Sequence, residues 1–254
     1  MLSMAILLAA GVAGCMQEPF PKPVAEKSET NEEEPESVAE EPESVAEEPE
    51  SVAEEPESVA DAVSAIKKLG GTITSNGASV TAVKFLGDRQ ITDAGLVHLK
   101  GLTSLEKLSL QGKQITGVGL VHLKNLKDLK WLSLRHTPVT DAGLVHLKSL
   151  TNLEELYLDG TQITGAGLEH LKDLTKLKRL GLQNTQITDA GLVNLKGLTS
   201  LERLNAGDTH ISDVGLVHLK DLTNLTSLTL NRTQVTGEGV KTLQQALPNC
   251  IIYH

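Results

Sequence analysis

Residues 129–152 read LKWLSLRHTPVTDAGLVHLKSLTN and residues 153–176 read LEELYLDGTQITGAGLEHLKDLTK, two copies of one 24-residue pattern. Leu129, Leu132, Leu134 and Val139 in the first copy match Leu153, Leu156, Leu158 and Ile163 in the second. The same four positions recur backward at Leu105, Leu108, Leu110 and Ile115. Forward they recur at Leu177, Leu180, Leu182 and Ile187, at Leu201, Leu204, Ala206 and Ile211, and at Leu225, Leu228, Leu230 and Val235. An earlier copy, Val80, Val83, Phe85 and Ile91, carries one extra loop residue, so residues 80–248 hold seven units.

Each LxxLxL piece ends in period-two alternation, which predicts a short strand with Leu inward and polar residues outward. A Thr or Ser follows each Ile or Val (Thr92, Thr116, Thr140, Thr164, Thr188, Ser212, Thr236), placed to cap a helix by accepting a backbone N–H. Leu96, Leu99 and Leu102, or their equivalents, then face the strand layer at spacing three. A strand–turn–helix unit of this size cannot bury its apolar face alone. Stacked copies share a continuous core, so the fold class is an α/β solenoid with short parallel strands inside and short helices outside. Glycine holds one place in every unit, from Gly95 and Gly119 to Gly239, where a side chain would meet the neighbouring coil.

Both ends of a solenoid need covers. Residues 61–79 predict a helix over Asp61–Leu69, with Val63, Ile66 and Leu69 on one face, stopped at Gly70-Gly71 and followed by a hairpin turning at Asn76-Gly77. Residues 249–254 follow Pro248, which stops the last helix, and supply a closing strand over Cys250–Tyr253.

The whole chain has 254 residues, 39% apolar but only 2% aromatic, so the core must rest on Leu, Ile, Val and Ala. Charge divides it in two. Residues 15–60 hold 16 acids against Lys22 and Lys27, a net of −14, while residues 61–254 hold 17 acids and 21 bases, a net of +4. The heptad EEPESVA runs from Glu33 and recurs from Glu40, Glu47 and Glu54. One proline per copy, at about 3 kcal/mol in a helix interior, and a single valine predict an extended, disordered acidic tether over 15–60 rather than a coiled coil.

Residues 1–14 read as an export signal: an apolar run from Met4 to Ala13, too short for a permanent span, then small residues and Cys15. Val12-Ala13-Gly14-Cys15 resembles the bacterial lipobox, which implies that Cys15 carries lipid and anchors the chain to a bacterial membrane, facing the periplasm or the surface. Cys250 is then alone, and no internal disulfide is expected.

Residues 80–248 resemble a leucine-rich-repeat solenoid, similar to the short bacterial repeats near the cysteine-containing and GALA subclasses. Thr137, Thr161, Thr185, Thr209 and Thr233 stand where that family places an asparagine ladder. The resemblance implies a membrane-anchored, non-catalytic module that presents its strand face to a protein or peptide. The alternative is a structural or spacer element of the cell envelope without a specific ligand.

The outward strand positions name the candidate partner-binding residues: Trp131 and Arg135, then Glu155, Tyr157 and Asp159, then Arg179, then Arg203 and Asn205. With strands about 4.8 Å apart, Trp131, Tyr157, Arg135 and Arg179 fall in one patch of residue types favoured at binding hot spots. The sequence contains no phosphate loop, dinucleotide fingerprint, HExxH, CxxC or GxSxG, so no enzyme, small-molecule substrate or cofactor is expected. His98, His122, His146, His170 and His218 share one repeat position, with Asn194 in the missing rung. Helix diameters of about 10 Å set them too far apart to chelate a metal, which needs nitrogens at about 2 Å. The modest positive charge of the solenoid and the acidic tether argue against nucleic acid.

Overall fold

The structure, a computed structural model, describes residues 58–85, 91–111 and 114–254. The signal segment 1–14, Cys15, the acidic stretch up to residue 57 and the pair Gly112-Lys113 lie outside the described residues. Among the described residues nine strands form one sheet in chain order: β1 (Gly71–Asn76), β2 (Ser79–Phe85), β3 (Lys107–Leu110), β4 (Trp131–Ser133), β5 (Glu155–Tyr157), β6 (Arg179–Gly181), β7 (Arg203–Asn205), β8 (Ser227–Thr229) and β9 (Ile251–Tyr253). Only β1–β2 is antiparallel; from β2 onward every neighbour is parallel, in a register one repeat apart, as in Leu108↔Leu132 and Leu132↔Leu156. The leucines of each LxxLxL are buried and join the helical leucines in one core, so burial runs unbroken from Ile66 to Leu247.

The first helix spans Val59–Lys68, two residues before Asp61. The last EEPESVA copy supplies its start: the Ser58 hydroxyl accepts the Asp61 N–H at 3.2 Å. Unlike the other copies, this Ser-Val-Ala is followed by Ala62 and Ile66, whose burial gives a helix something to hold. At the other end the helix Gly237–Ala246 precedes β9, which pairs in parallel with β8, and Cys250 is buried.

Between strands the connections are mostly 3₁₀ rather than α: Asp93–Leu99, Val118–Leu123, Gly167–Leu171 and Asp189–Leu195. A leucine every three residues matches a helix of three residues per turn, which stacks those side chains on one side.

The repeated hydroxyls depart from the capping expectation. Thr164, Ser212 and Thr236 accept a following backbone N–H at 3.2 to 3.3 Å, but Thr92, Thr140 and Thr188 make no side-chain cap. The three that cap are each held by an aspartate one repeat back; Thr116 is held in the same way, but the N-cap of the helix after it is Gly117, with no side-chain cap. Asp93, Asp141, Asp189 and Asp213 accept both the N–H and the hydroxyl of the Thr or Ser 23 residues later, at 2.8 and 2.6 Å for Asp141–Thr164 and 2.7 and 2.6 Å for Asp189–Ser212. Thr140 and Thr188 find Gly117 and Gly165 at that place, so no carboxylate orients them.

The second threonine row also acts differently from an asparagine ladder. Each hydroxyl of Thr137, Thr161, Thr185, Thr209 and Thr233 donates to the carbonyl three residues earlier in its own repeat, at 2.6 Å. A single O–H donor closes the local turn and leaves nothing to pass to the next coil.

Candidate functional site

Parallel register lines up the outward side chains into rows. One row runs Ala82, Lys107, Trp131, Glu155, Arg179, Arg203 and Ser227, and the next runs Lys84, Ser109, Ser133, Tyr157, Gly181, Asn205 and Thr229, in which Ser109 and Ser133 are buried. Arg135, Asp159 and Gln183 continue the face past the strand ends. The two aromatic positions fall on neighbouring strands in neighbouring rows, so Trp131 and Tyr157 meet diagonally with ring centroids 5.7 Å apart and planes tilted by 52°.

Charged groups fix this pair from both sides. The Arg135 guanidinium lies 4.3 Å from the Tyr157 ring centroid, and its Nε donates to Asp159 Oδ2 at 2.8 Å. Asp159 is nearly buried, and its second oxygen accepts the Gln183 N–H at 3.2 Å. Gly181 makes room for this carboxylate: a Cβ there would stand 2.9 Å from Asp159 Cγ. On the other flank Tyr157 donates its hydroxyl to Glu155 Oε2 at 2.6 Å, and Arg179 donates to Glu155 Oε1 at 3.1 Å. Burial, and after it the Glu155 carboxylate, push the Tyr157 phenol up, while Glu155 raises Arg179 further. At neutral pH the phenol therefore stays a hydrogen-bond donor and Arg179 stays a cation.

The structure thus brings Trp131, Arg135, Glu155, Tyr157, Asp159 and Arg179 into one connected cluster. Arg203 stands exposed beside Arg179 in register, and Asn205 lies in the next row, donating to Gln183 Oε1 at 3.1 Å. Sequence reasoning missed the wall of this site. A cavity of about 740 Å³ lies over Trp131, Glu155, Tyr157 and Arg179 and is closed on its N-terminal side by Thr72, Thr74, Lys84, Lys107 and Ser109. Lys107 was reachable by stepping 24 residues back from Trp131; Thr72 and Thr74 were not, because β1 runs antiparallel and outside the repeat.

The arrangement is suited to recognition. Its carboxylates are already engaged by arginine or tyrosine, and its half-buried aromatic pair offers a rigid surface with little side-chain entropy left to lose. The histidine row lies on the opposite, helical side, half-buried. Asn194 in its missing rung donates to the Gly165 carbonyl at 3.1 Å, and no group of three His, Cys, Asp or Glu among the described residues is placed to hold a metal.

A sheet of in-register parallel strands, one per 24 residues, backed by short helices and presenting one variable polar face, defines a repeat solenoid with a recognition surface. Leucine rich repeat family models match residues 103–163, 151–211 and 221–243, together about half of the chain. The described part of this chain is a leucine-rich-repeat domain of the kind that typically serves as a protein-interaction module. It is similar to an internalin C2 from Listeria monocytogenes, with 27% identity and a TM-score of 0.55, over 75% of this chain and 90% of that one. A leucine-rich-repeat protein from Leptospira interrogans shares the fold at 24% identity and a TM-score of 0.51, over 67% of this chain. This chain spans only 42% of that protein's length. No curated protein matches the chain.

Proposed function

We propose that the chain is a non-catalytic recognition module, held to a bacterial membrane by lipid at Cys15, that binds a protein or peptide on the strand face around Trp131 and Tyr157. The observation that carries this reading is the Trp131–Tyr157 pair clamped between Arg135–Asp159 and Glu155–Arg179. A spacer needs no such cluster, since the leucine core already holds the strands together. Tryptophan, tyrosine and arginine are the residue types that most often dominate binding energy at interfaces. Lys84 and Lys107, exposed at the cavity's N-terminal wall, favour a partner that brings carboxylates to that end. The acidic stretch 15–57 serves as the stand-off between anchor and domain.

The test is capture from envelope extract with the wild-type chain against a Trp131→Ala/Tyr157→Ala chain. A partner held by the first and lost by the second supports the site. Identical captured sets with both baits would move binding elsewhere.

A further inference from the structure

The helical side of the solenoid carries a pattern that folding does not require. Residues three apart eclipse one another in a 3₁₀ turn, so Val118, Val121 and Lys124 stand in one line, on the side away from the buried Leu120 and Leu123. The neighbouring repeats read Ala94–Val97–Lys100 and Ala142–Val145–Lys148, and later ones read Ala190–Val193–Lys196 and Val214–Val217–Lys220. Ala166–Glu169–Lys172 breaks the apolar column but keeps the lysine, and the seventh repeat, Glu238–Lys241–Gln244, departs from both. The outer stripe of a surface helix is ordinarily polar; here two positions of three are apolar in five of the seven repeats, and the third is lysine in the first six.

Most of these side chains face water, with Val97 and Val121 half-buried. Val118, Val145, Val193, Val214 and Val217 are 44% to 75% exposed and make up most of the large apolar side chains exposed among the described residues. All six lysines of the column are exposed. Lys148 and Lys172 have loose partners in Asp173 and Glu169, at 3.9 and 3.7 Å, whereas Lys100, Lys124, Lys196 and Lys220 have no ion pair among the described residues. Stacking the repeats turns the lines into two apolar columns edged by a column of one charge. A second copy of the chain docking there would bring lysine against lysine, so the complementary surface must itself be anionic.

We propose that this ledge is a contact surface for anionic lipid. Valine and alanine enter the headgroup boundary while the lysine ammoniums meet lipid phosphates, which is how peripheral amphipathic surfaces divide the task. The acidic stretch before residue 58 opposes the approach only within the screening length, about 10 Å at 0.1 M salt. The surface is distinct from the strand face, and neither depends on the other's residues.

The experiment uses the full chain with Cys15→Ser, so that no lipid anchor contributes, and vesicles of phosphatidylcholine with or without about one-third phosphatidylglycerol. The chain should sediment with the anionic vesicles, release as salt rises, and stay off the neutral ones. A lysine near an anionic surface is worth about fivefold in partitioning, so Lys100→Gln/Lys124→Gln/Lys148→Gln/Lys196→Gln together should weaken binding by about a hundredfold or more. Val145→Ser/Val193→Ser/Val217→Ser should also weaken it, with unchanged circular dichroism and melting, which charge attraction alone would not produce. Absence of binding to anionic vesicles, equal binding to neutral ones, or indifference to both variants would overturn the proposal. Self-association without vesicles that the valine variant abolishes would overturn it as well, and give the ledge to a second copy.

Discussion

Gly191→Ala tests the reasoning about how the coils touch. Gly191 lies in the 3₁₀ helix Asp189–Leu195 at a backbone conformation open to any residue, and alanine is preferred over glycine within helices by about 1 kcal/mol. Local propensity alone therefore predicts stabilisation. A Cβ at 191, however, would stand 2.5 Å from the Gly165 Cα and 3.5 Å from the Gly165 N, both backbone atoms of the preceding coil. No rotamer change relieves such a contact, so two coils must separate, and the cost belongs at the upper end of overpacking, about 3 kcal/mol. The net is a loss of about 2 kcal/mol, or about 4 to 8 °C in melting temperature for a domain of this size. Gly197→Ala is the control, since its Cβ would meet only the Lys172 carbonyl at 3.5 Å, an ordinary contact. It should be neutral or stabilise by up to about 1 kcal/mol through the unfolded chain. Thermal and urea unfolding of both variants gives the comparison, and the Gly191 variant should also lose cooperativity because each repeat is held only by its neighbours. If Gly191→Ala melted with the wild type or with Gly197→Ala, close backbone approach would not be what keeps glycine in that position.

Four further outcomes are expected. Asp189→Ala removes the acceptor of the Ser212 N–H and hydroxyl and should cost about 2 kcal/mol in urea unfolding, whereas the same change at the exposed, unpaired Asp128 should cost almost nothing. Hydrogen bonds from the Thr236 hydroxyl and then from its N–H hold the Asp213 carboxyl below the ordinary carboxylate range. That contribution is complete above the ordinary range and disappears as pH falls through the lower folded value, so Thr236→Val should raise the Asp213 titration followed by NMR. Trp131 should emit as a partly exposed indole, and Trp131→Ala should cost well under the 3 kcal/mol or so of a buried aromatic while weakening a partner by about 2 kcal/mol or more; blue-shifted emission with the full core loss would remove it from the site. Cys15→Ser should shift the chain from the membrane fraction to the soluble fraction, and unchanged fractionation would end the case for a lipid anchor there.

The fold was legible because leucine burial, which drives it, is written at a fixed period: the strands at Leu108, Leu132, Leu156, Leu180 and Leu204 need only that the same positions recur every 24 residues. The repeated glycine was legible for the same reason, but its cause differs along the chain: close backbone approach at Gly119, Gly143 and Gly191, and the aspartate carboxylate of the preceding coil at Gly167, Gly215 and Gly239. A Cβ at Gly119 would stand 2.7 Å from the Asp93 Cα, and one at Gly143 would stand 2.8 Å from the Gly117 Cα. What escaped is what depends on two repeats at once. Read singly, Thr140 and Thr164 are the same residue in the same motif; they differ in the residue 23 places earlier, Gly117 or Asp141, and it is Thr164, held by the Asp141 carboxylate, that caps. The candidate site divides along the same line. Trp131 and Tyr157 were found by alternation within a strand, but the Tyr157–Glu155 hydrogen bond and the stacking of Arg135 on Tyr157 required knowing which rotamers the crowded face allows.

In a solenoid each coil touches only its neighbours, so stability is close to a sum of repeated interfaces, and a position that takes no part in those interfaces is free to differ from coil to coil. The strand row behaves this way: Lys107, Trp131, Glu155, Arg179, Arg203 and Ser227 occupy equivalent places and mix cations, an aromatic, a carboxylate and a hydroxyl. The column Lys100, Lys124, Lys148, Lys172, Lys196 and Lys220 is equally free of the core, yet it does not vary over six consecutive repeats and changes only at Gln244 in the last. Variation without packing consequence suits a surface that distinguishes one partner from others, because each coil adds a different contact. Uniformity without packing consequence suits a surface whose counterpart repeats and has no fixed register, as a sheet of lipid phosphates does. The same scaffold can therefore present a specific face and a non-specific one, and a change on either leaves the leucine core between them intact.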